Sequence, residues 1–174
     1  MYDPRTLRAG DVILVNGAPP GESFPGRLLD LAIGWATVSP FHHAAIVSTS
    51  GTLIEALWRV TESPADKYAS CAISLRPFCA AKVCAKAAQW ASSRVGDRYG
   101  IAEILEDGGR DILHLPIGWR FHPRHLTCSG LVAASYVAAG APLTRAPVPS
   151  PADLSYSPIL VGRRPWEHAP PHPQ

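Results

Sequence analysis

The chain has 174 residues, which is the usual size of one domain and is long enough to enclose a hydrophobic core. Hydrophobic residues make up 47% of it and charged residues only 17%, with 16 Lys and Arg against 14 Asp and Glu. The formal net charge of +2 excludes a strongly basic nucleic-acid-binding protein and a disordered polyelectrolyte. We therefore expect a globular domain that has no nucleic-acid partner.

The N-terminal part of the chain predicts strands around one helix. Residues 11–16 form a short apolar, β-branched run, which is typical of a buried strand. Residues 27–38 place apolar side chains at helical spacing and predict a helix of about three turns. Residues 42–47 and 52–58 flank a turn of Ser, Thr and Gly, and this pattern predicts an antiparallel hairpin.

The middle of the chain predicts one more strand, a helix and an irregular segment. A strand at residues 72–75 is followed by helical spacing over residues 81–95, with Gly96 directly after them. Residues 98–123 contain Gly-Gly and Pro and predict a long loop. Strands and helices do not alternate regularly, so we predict an α+β fold with a mainly antiparallel sheet packed against helices.

The C-terminal composition differs from the rest, because half of the 18 prolines lie from Pro142 onwards. Such a segment is expected to cover the surface in extended form and to end in disorder. We predict one domain over residues 1–160 and a Pro-rich tail over residues 161–174.

The N-terminus holds no apolar run of the kind that directs export, so we expect a protein that starts in the cytoplasm. The uncharged stretch 126–144 includes polar residues, Gly and Pro, and predicts a buried helix and a loop rather than a membrane span. The four cysteines lack Cys-x-x-Cys spacing, so neither a zinc site nor a disulfide framework is predicted. Cys84, in particular, fits core packing better than chemistry.

Cys128 differs from the other cysteines because a helix is predicted to begin at Thr127 or Cys128 and to end near Ala139. Unpaired backbone N–H groups and the positive end of the helix dipole stabilise a thiolate at such a position. Ser129 and Gly130 are small and leave room for a substrate carbonyl beside the sulfur. A tightly packed helix start explains the same residues, and the local sequence does not decide between the two.

The hairpin offers a base for this thiol. If its turn is centred near Thr49, His43 and Glu55 lie opposite each other on one face, with Cβ atoms roughly 4.5–5.5 Å apart. Glu55 interrupts the apolar run 53–57, where a carboxylate without a partner is costly, so we expect it to have one. The alternative is an edge-strand Glu that faces water beside a buried His. Together with Cys128, the pair favours a Cys-His-Glu triad.

His42 is the second candidate base, although a regular strand points it away from the face of His43. A metal site made of these two histidines and a cysteine has no ligand spacing to support it. We predict no metal and no cofactor.

Several short segments resemble, in the same order, motifs of the NlpC-related papain-like cysteine peptidases and amidases. The matching segments are residues 10–13 in the Gly-Asp opening strand, 43–47 in the His strand, 53–56 in the Glu strand, 95–100 in the Gly-x-x-Tyr segment, 128–132 in the nucleophile helix and 151–158 in the tail. The order His, Glu, Cys is similar to that of the circularly permuted branch, typified by YiiX-like proteins. The likeness spans about residues 7–160.

The resemblance implies a circularly permuted papain-like fold and assigns roles to three residues. Cys128 is the implied nucleophile, His43 the general base and acid, and Glu55 the residue that orients the imidazole. Tyr99 matches a position near the active-site cleft of the family, and we group Tyr99, His42 and Ser129 as candidate substrate-binding residues.

These residues predict a thiol hydrolase that cleaves an amide bond without a cofactor. The resemblance implies peptide or isopeptide substrates, such as cell-wall fragments met in the cytoplasm or reached through a phage particle or a secretion system. One alternative is a lipid acyl thiol hydrolase or transferase of the same fold, although residues 127–130 do not match its Asn-Cys-Glu-His motif. The other is a catalytically inactive binding or structural module.

Overall fold

The structure, a computed structural model, describes residues 1–17, 40–56, 59–97, 127–146 and 149–161. The strands in these ranges are β1 (Val12–Val15), β2 (His43–Val47), β3 (Leu53–Ala56), β4 (Val60–Ser63), β5 (Ala72–Pro77) and β6 (Leu160–Val161). The helices are α1 (Ala81–Ser92), α2 (Cys128–Ala139) and α3 (Pro151–Ser155), and a single 3-10 turn covers Pro4–Thr6.

One antiparallel sheet holds these six strands in the order β4-β3-β2-β1-β5-β6. Every residue of β1, β2 and β3 is buried, so the central strands are covered on both faces. Helices α1 and α2 pack on the face that includes Leu14 and Ile46. The N-terminal segment and Tyr68 cover the other face, which includes Ala45. The predicted α+β fold with an antiparallel sheet packed against helices is confirmed.

Helix α2 lies between α1 and strand β2. Nine of its 12 residues are buried, which explains why its sequence carries no charge on any face. Gly140 ends it in the left-handed conformation, at a φ of +86°. The uncharged stretch therefore holds a buried helix, as predicted, and the described helices are all too short or too polar to cross a membrane.

The predicted strand β1, the β2–β3 hairpin, strand β5 and helix α1 are present. Helix α1 ends at Ser92, three residues before the predicted end. Strand β4 is not predicted by the sequence, because it lies at the sheet edge and only its first residue is buried. The predicted helix over residues 27–38, the loop over 98–123 and residues 162–174 of the tail lie outside the described residues.

The expectation of an extended segment after Ala141 is wrong for residues 151–155, where α3 forms, whereas β6 is extended. Ser150 and Asp153 form a capping box in which the Ser150 N–H donates to Asp153 Oδ2 at 2.7 Å and the Asp153 N–H donates to Ser150 Oγ at 3.2 Å. Pro151 occupies the first helical position, where its missing N–H costs nothing. This Ser-Pro-x-Asp pattern is itself a helix-start signal, which the high proline content obscured.

Candidate active site

Cys128 is the first residue of α2 and its exposure is 5%. Thr127 caps the helix, because its Oγ1 accepts the Gly130 N–H at 3.0 Å. A Cβ atom at Gly130 would lie 2.7 Å from Thr127 Oγ1, so the cap requires a glycine there. Gly130, which the sequence suggests leaves room for a substrate, therefore also permits the cap that holds the helix start and Cys128 in place.

The β2–β3 register differs from the prediction. Glu55 pairs with Ala45, so the turn is centred at Ser50 instead of Thr49. Because side chains alternate along a strand, His43 and Glu55 still share a face, as diagonal rather than directly opposite neighbours. His43 Nε2 and Glu55 Oε2 are 2.8 Å apart. The predicted contact is present although the predicted register is wrong.

Glu55 is fully buried, and each of its carboxylate oxygens accepts two hydrogen bonds. Oε2 accepts from His43 Nε2 and from the Tyr68 hydroxyl, the latter at 2.6 Å. Oε1 accepts from Lys67 Nζ and from Ser63 Oγ, both at 2.5 Å. These four donors provide the partners that a carboxylate needs when it is removed from water.

Ser63, Lys67 and Tyr68 are functional candidates that the sequence analysis missed. Ser63 ends β4, and the other two belong to the turns that follow it. The Tyr68 ring also contacts the His43 ring, with centroids 5.6 Å apart and planes tilted by 56°. The apolar surroundings of Glu55 predicted that partners exist, but their identity depends on the pairing of β4 with β3.

The four donors hold Glu55 in its ionised form. Burial acts to raise its pKa, but the hydrogen bond and charge of His43, with the hydrogen bonds of Lys67 and Ser63, lower the pKa of Glu55 from 4.5 to about 2. The Lys67 ammonium forms an ion pair with Glu55 Oε1. This second cation compensates the carboxylate, which leaves a charge on His43 available to compensate a Cys128 thiolate.

His43 is hydrogen-bonded to Cys128 as well as to Glu55. Because Nε2 faces Glu55, Nδ1 is the ring nitrogen that faces the sulfur. Burial acts to lower the pKa of His43, but its hydrogen bonds to Cys128 and Glu55 and their negative charges raise it to about 10. The imidazole is therefore held in its protonated form beside two anions.

The same contacts act on the thiol in the opposite direction. Burial raises the pKa of Cys128, but the hydrogen bond and charge of His43 outweigh this effect and lower the pKa overall. The backbone N–H groups of Ala44 and Ser129 also donate toward the sulfur and lower it further. The geometry thus favours a thiolate–imidazolium pair at the start of α2.

The three candidate substrate-binding residues differ in what the structure shows of their positions and contacts. The Ser129 hydroxyl is buried and donates to the Pro149 carbonyl oxygen at 2.6 Å, which ties α2 to the segment before α3. His42 is half-buried just before β2, and its backbone N–H donates to a β1 carbonyl at 3.1 Å. Tyr99 lies outside the described residues. The substrate-binding roles of all three stay predictions.

Comparison with known proteins places the fold. No protein-family model matches the sequence, and no curated protein does. Among solved structures, the chain is similar to the metalloprotein YiiX from Escherichia coli O157:H7, with a TM-score of 0.62 and 18% sequence identity. The match covers 88% of this chain and 94% of the YiiX chain. The protein therefore has a YiiX-like fold.

YiiX is described as a metalloprotein, which raises the question of whether the site here fits a metal ion. Nowhere in the described ranges do three or more His, Cys, Asp or Glu side chains form a group suited to a metal. His43 and Cys128 lie together, but the two ring nitrogens of His43 face Glu55 and the thiol. The described residues fit an acid–base arrangement rather than a three-ligand metal site.

Proposed function

We propose that the protein is a cysteine-dependent hydrolase of amide bonds, related to the circularly permuted NlpC-type papain-like enzymes. The observation that carries the proposal is the chain of contacts from Cys128 through His43 to the buried Glu55. A buried thiol at a helix start does not need an imidazole that is itself fixed by a carboxylate unless the thiol reacts. The YiiX-like fold supports the family relationship.

In the proposed reaction the Cys128 thiolate attacks the amide carbonyl carbon, and a carbon–sulfur bond forms as the oxygen becomes an oxyanion. The backbone N–H groups in the first turn of α2 face this oxyanion. Of these N–H groups, that of Gly130 is already held by Thr127 and that of Ser129 donates toward the sulfur, so the Cys128 N–H is the one assigned to the oxyanion.

His43 carries out the proton transfers of the proposed reaction. Its imidazolium protonates the leaving amine nitrogen as the carbon–nitrogen bond breaks, which leaves a thioester on Cys128 and a neutral imidazole. The imidazole then takes a proton from water, whose oxygen attacks the thioester carbon and releases the acid. This step restores the thiolate and the imidazolium. Glu55 holds the ring in position through Nε2 at both stages.

The proposed substrates are peptide or isopeptide amides, with cell-wall peptides as the first class to examine. This choice rests on the resemblance of the sequence motifs to the NlpC-related enzymes. The proposed setting is the cytoplasm, or a site reached through a phage particle or a secretion system.

The first test is the rate of iodoacetamide alkylation at each cysteine as a function of pH, located by mass spectrometry. We expect Cys128 to react well below the free-thiol pKa of about 8.5. In His43→Ala the advantage is lost, because burial then raises the pKa of Cys128 against the weaker effect of the Ala44 and Ser129 N–H groups alone, whereas His42→Ala as a matched control retains it. If Cys128 is inert, or reacts equally without His43, the triad is wrong and the protein is a binding module.

The second test separates amide from acyl-lipid chemistry. Wild-type protein is mixed with cell-wall peptides and, separately, with acyl esters, and an acyl adduct on Cys128 is sought by intact mass. An adduct and turnover with peptides support the proposal, and Cys128→Ala removes both. Turnover of acyl esters alone overturns the amide specificity while leaving the thiol chemistry in place.

A further inference from the structure

A second pair of thiol side chains lies at the start of α1, in residues that the proposed reaction does not use. Cys79 follows strand β5, and Cys84 lies in the first turn of α1. Their Sγ atoms are 2.7 Å apart. Non-bonded carbon atoms prefer about 3.5–4.0 Å, and sulfur is larger than carbon, so the two thiols are closer than ordinary packing allows.

The backbone fixes this approach. The Cys79 N–H donates to the Pro77 carbonyl at 3.0 Å, and the Cys84 N–H donates to the Ala80 carbonyl at 3.2 Å. Strand β6 pairs with the last two residues of β5, and the Phe78 N–H donates to the carbonyl of Ile159, directly before β6, at 2.6 Å. The turn between strand and helix therefore keeps both sulfurs in place instead of letting them separate.

Both cysteines are only half-buried, and Cys79 lines an open surface cavity. The cavity has a volume of about 680 Å³ and is bordered by Arg76, Pro77, Phe78, Ala80 and Val161. A small oxidant can reach the pair through this opening. Burial and the neighbouring Cys84 raise the pKa of Cys79 to about 12, which keeps Cys79 in its thiol form.

The pair is separate from the candidate active site. Cys84 lies beside the Tyr136 hydroxyl, which donates a hydrogen bond to the Gly10 carbonyl oxygen at 2.5 Å. Tyr136 lies eight residues after Cys128 on α2, or about 12 Å along the helix axis. This separation leaves Cys79 and Cys84 to react with each other rather than with Cys128.

We propose that Cys79 and Cys84 form a redox-active dithiol that a hydroperoxide converts reversibly into an intrachain disulfide. One thiolate attacks the peroxide oxygen, which gives a sulfenic acid and releases an alcohol. The second thiol then displaces the sulfenic hydroxyl as water, and the sulfur–sulfur bond forms. Overall, two thiols and one hydroperoxide give one disulfide, one alcohol and one water. An external dithiol reverses the reaction.

The test uses the wild-type protein, treated with a hydroperoxide, blocked with iodoacetamide and digested with trypsin without reductant. Lys82 lies between the two cysteines, so cleavage after it puts Cys79 and Cys84 on different peptides. We expect these peptides to remain joined, with a mass lower by two hydrogen atoms, and to separate when dithiothreitol is added. Alkylation of both residues is lost in parallel.

Matched variants assign the bond. Cys71 shares a tryptic peptide with Cys79, so Cys71→Ala must keep the joined peptides, as must Cys128→Ala. Cys84→Ala must lose them. The proposal is overturned if Cys79 and Cys84 stay fully alkylated under a treatment that oxidises Cys128, or if either joins another cysteine instead. Because the readout is the bond itself, it does not depend on whether Cys128 is catalytic.

Discussion

His43 and Glu55 are diagonal neighbours across strands β2 and β3, yet their side chains meet with 2.8 Å between Nε2 and Oε2. A diagonal pair needs long side chains to make contact, since its Cα atoms are roughly 7–8 Å apart. The contact therefore depends on the reach of both side chains. A shorter carboxylate at residue 55 cannot make it in the same backbone.

Glu55→Gln tests this contact at constant size. The amide oxygen still accepts a hydrogen bond, but the negative charge that holds the imidazolium is lost. A hydrogen bond to a charged group contributes about 1.5–3 kcal/mol, so we expect kcat/KM to fall roughly 10- to 100-fold. Glu62→Gln, on the exposed edge of β4, is the matched control and is expected to retain wild-type activity. Equal activity of Glu55→Gln and wild type contradicts the role of Glu55.

The depressed pKa of Glu55 predicts how stability depends on pH. The folded-state pKa of about 2 lies below the ordinary value of 4.5, so the native state binds fewer protons between these values. The stabilisation is complete above about pH 4.5 and is lost as the pH falls through about 2, with a total of about 3 kcal/mol. Urea unfolding at several pH values measures it. In Glu55→Gln, this part of the loss of unfolding free energy at acid pH is expected to be absent. If the loss is the same as in the wild type, Glu55 is not its source.

Tyr68→Phe separates the hydroxyl from the ring. The ring contact with His43 is retained, but Glu55 Oε2 loses one of its two donors and keeps only His43 Nε2. A hydrogen bond of this kind contributes about 1–3 kcal/mol, so we expect kcat to fall several-fold to about 100-fold while KM changes little. The pH profile of Cys128 alkylation is expected to shift together with the fall in kcat. Tyr156→Phe, at an exposed tyrosine after α3, is the control. A change in KM alone argues for a structural effect of Tyr68 elsewhere.

The cap of α2 predicts a non-additive pair of substitutions. Thr127→Ala removes the cap, and Gly130→Ala places a Cβ atom against Thr127 Oγ1, so each is expected to cost about 1 kcal/mol of unfolding free energy. In the double variant the clashing oxygen is gone, and the next nearest atom to the new Cβ is Thr127 Cβ, at 3.7 Å. We expect the double variant to be no less stable than Thr127→Ala alone. Additive losses contradict this account of Gly130.

The sequence was most informative where one local pattern determined one feature. The apolar run of β1 and the N-cap at Thr127 predicted their elements, and the apolar surroundings of Glu55 predicted a buried partner. The register was wrong by one position at the turn centre, which moves the partner of Glu55 by two residues and so keeps the same face. The predicted contact between His43 and Glu55 is present despite this error, because side chains alternate with a period of two.

Lys67 and Tyr68 were beyond prediction for a different reason. Both lie in turns without hydrophobic periodicity, and they approach Glu55 because β4 pairs with β3 through Thr61 and Glu55. The Cys79–Cys84 contact is local, but it depends on how the chain turns from β5 into α1, which sequence spacing does not specify. Contacts such as those of Lys67 and Tyr68 with Glu55 follow from the assembled fold rather than from a local pattern.

The ion pair of Lys67 with Glu55 has a consequence for the proposed reaction as a whole. Before attack, the thiolate and the imidazolium cancel, as do the carboxylate and the ammonium. After acylation, the sulfur is a neutral thioester and the imidazole is neutral, while the second pair is unchanged. Each stable stage of turnover is therefore electroneutral within these four groups, and the protein interior never has to hold an unbalanced charge between the arrival of one substrate and the next.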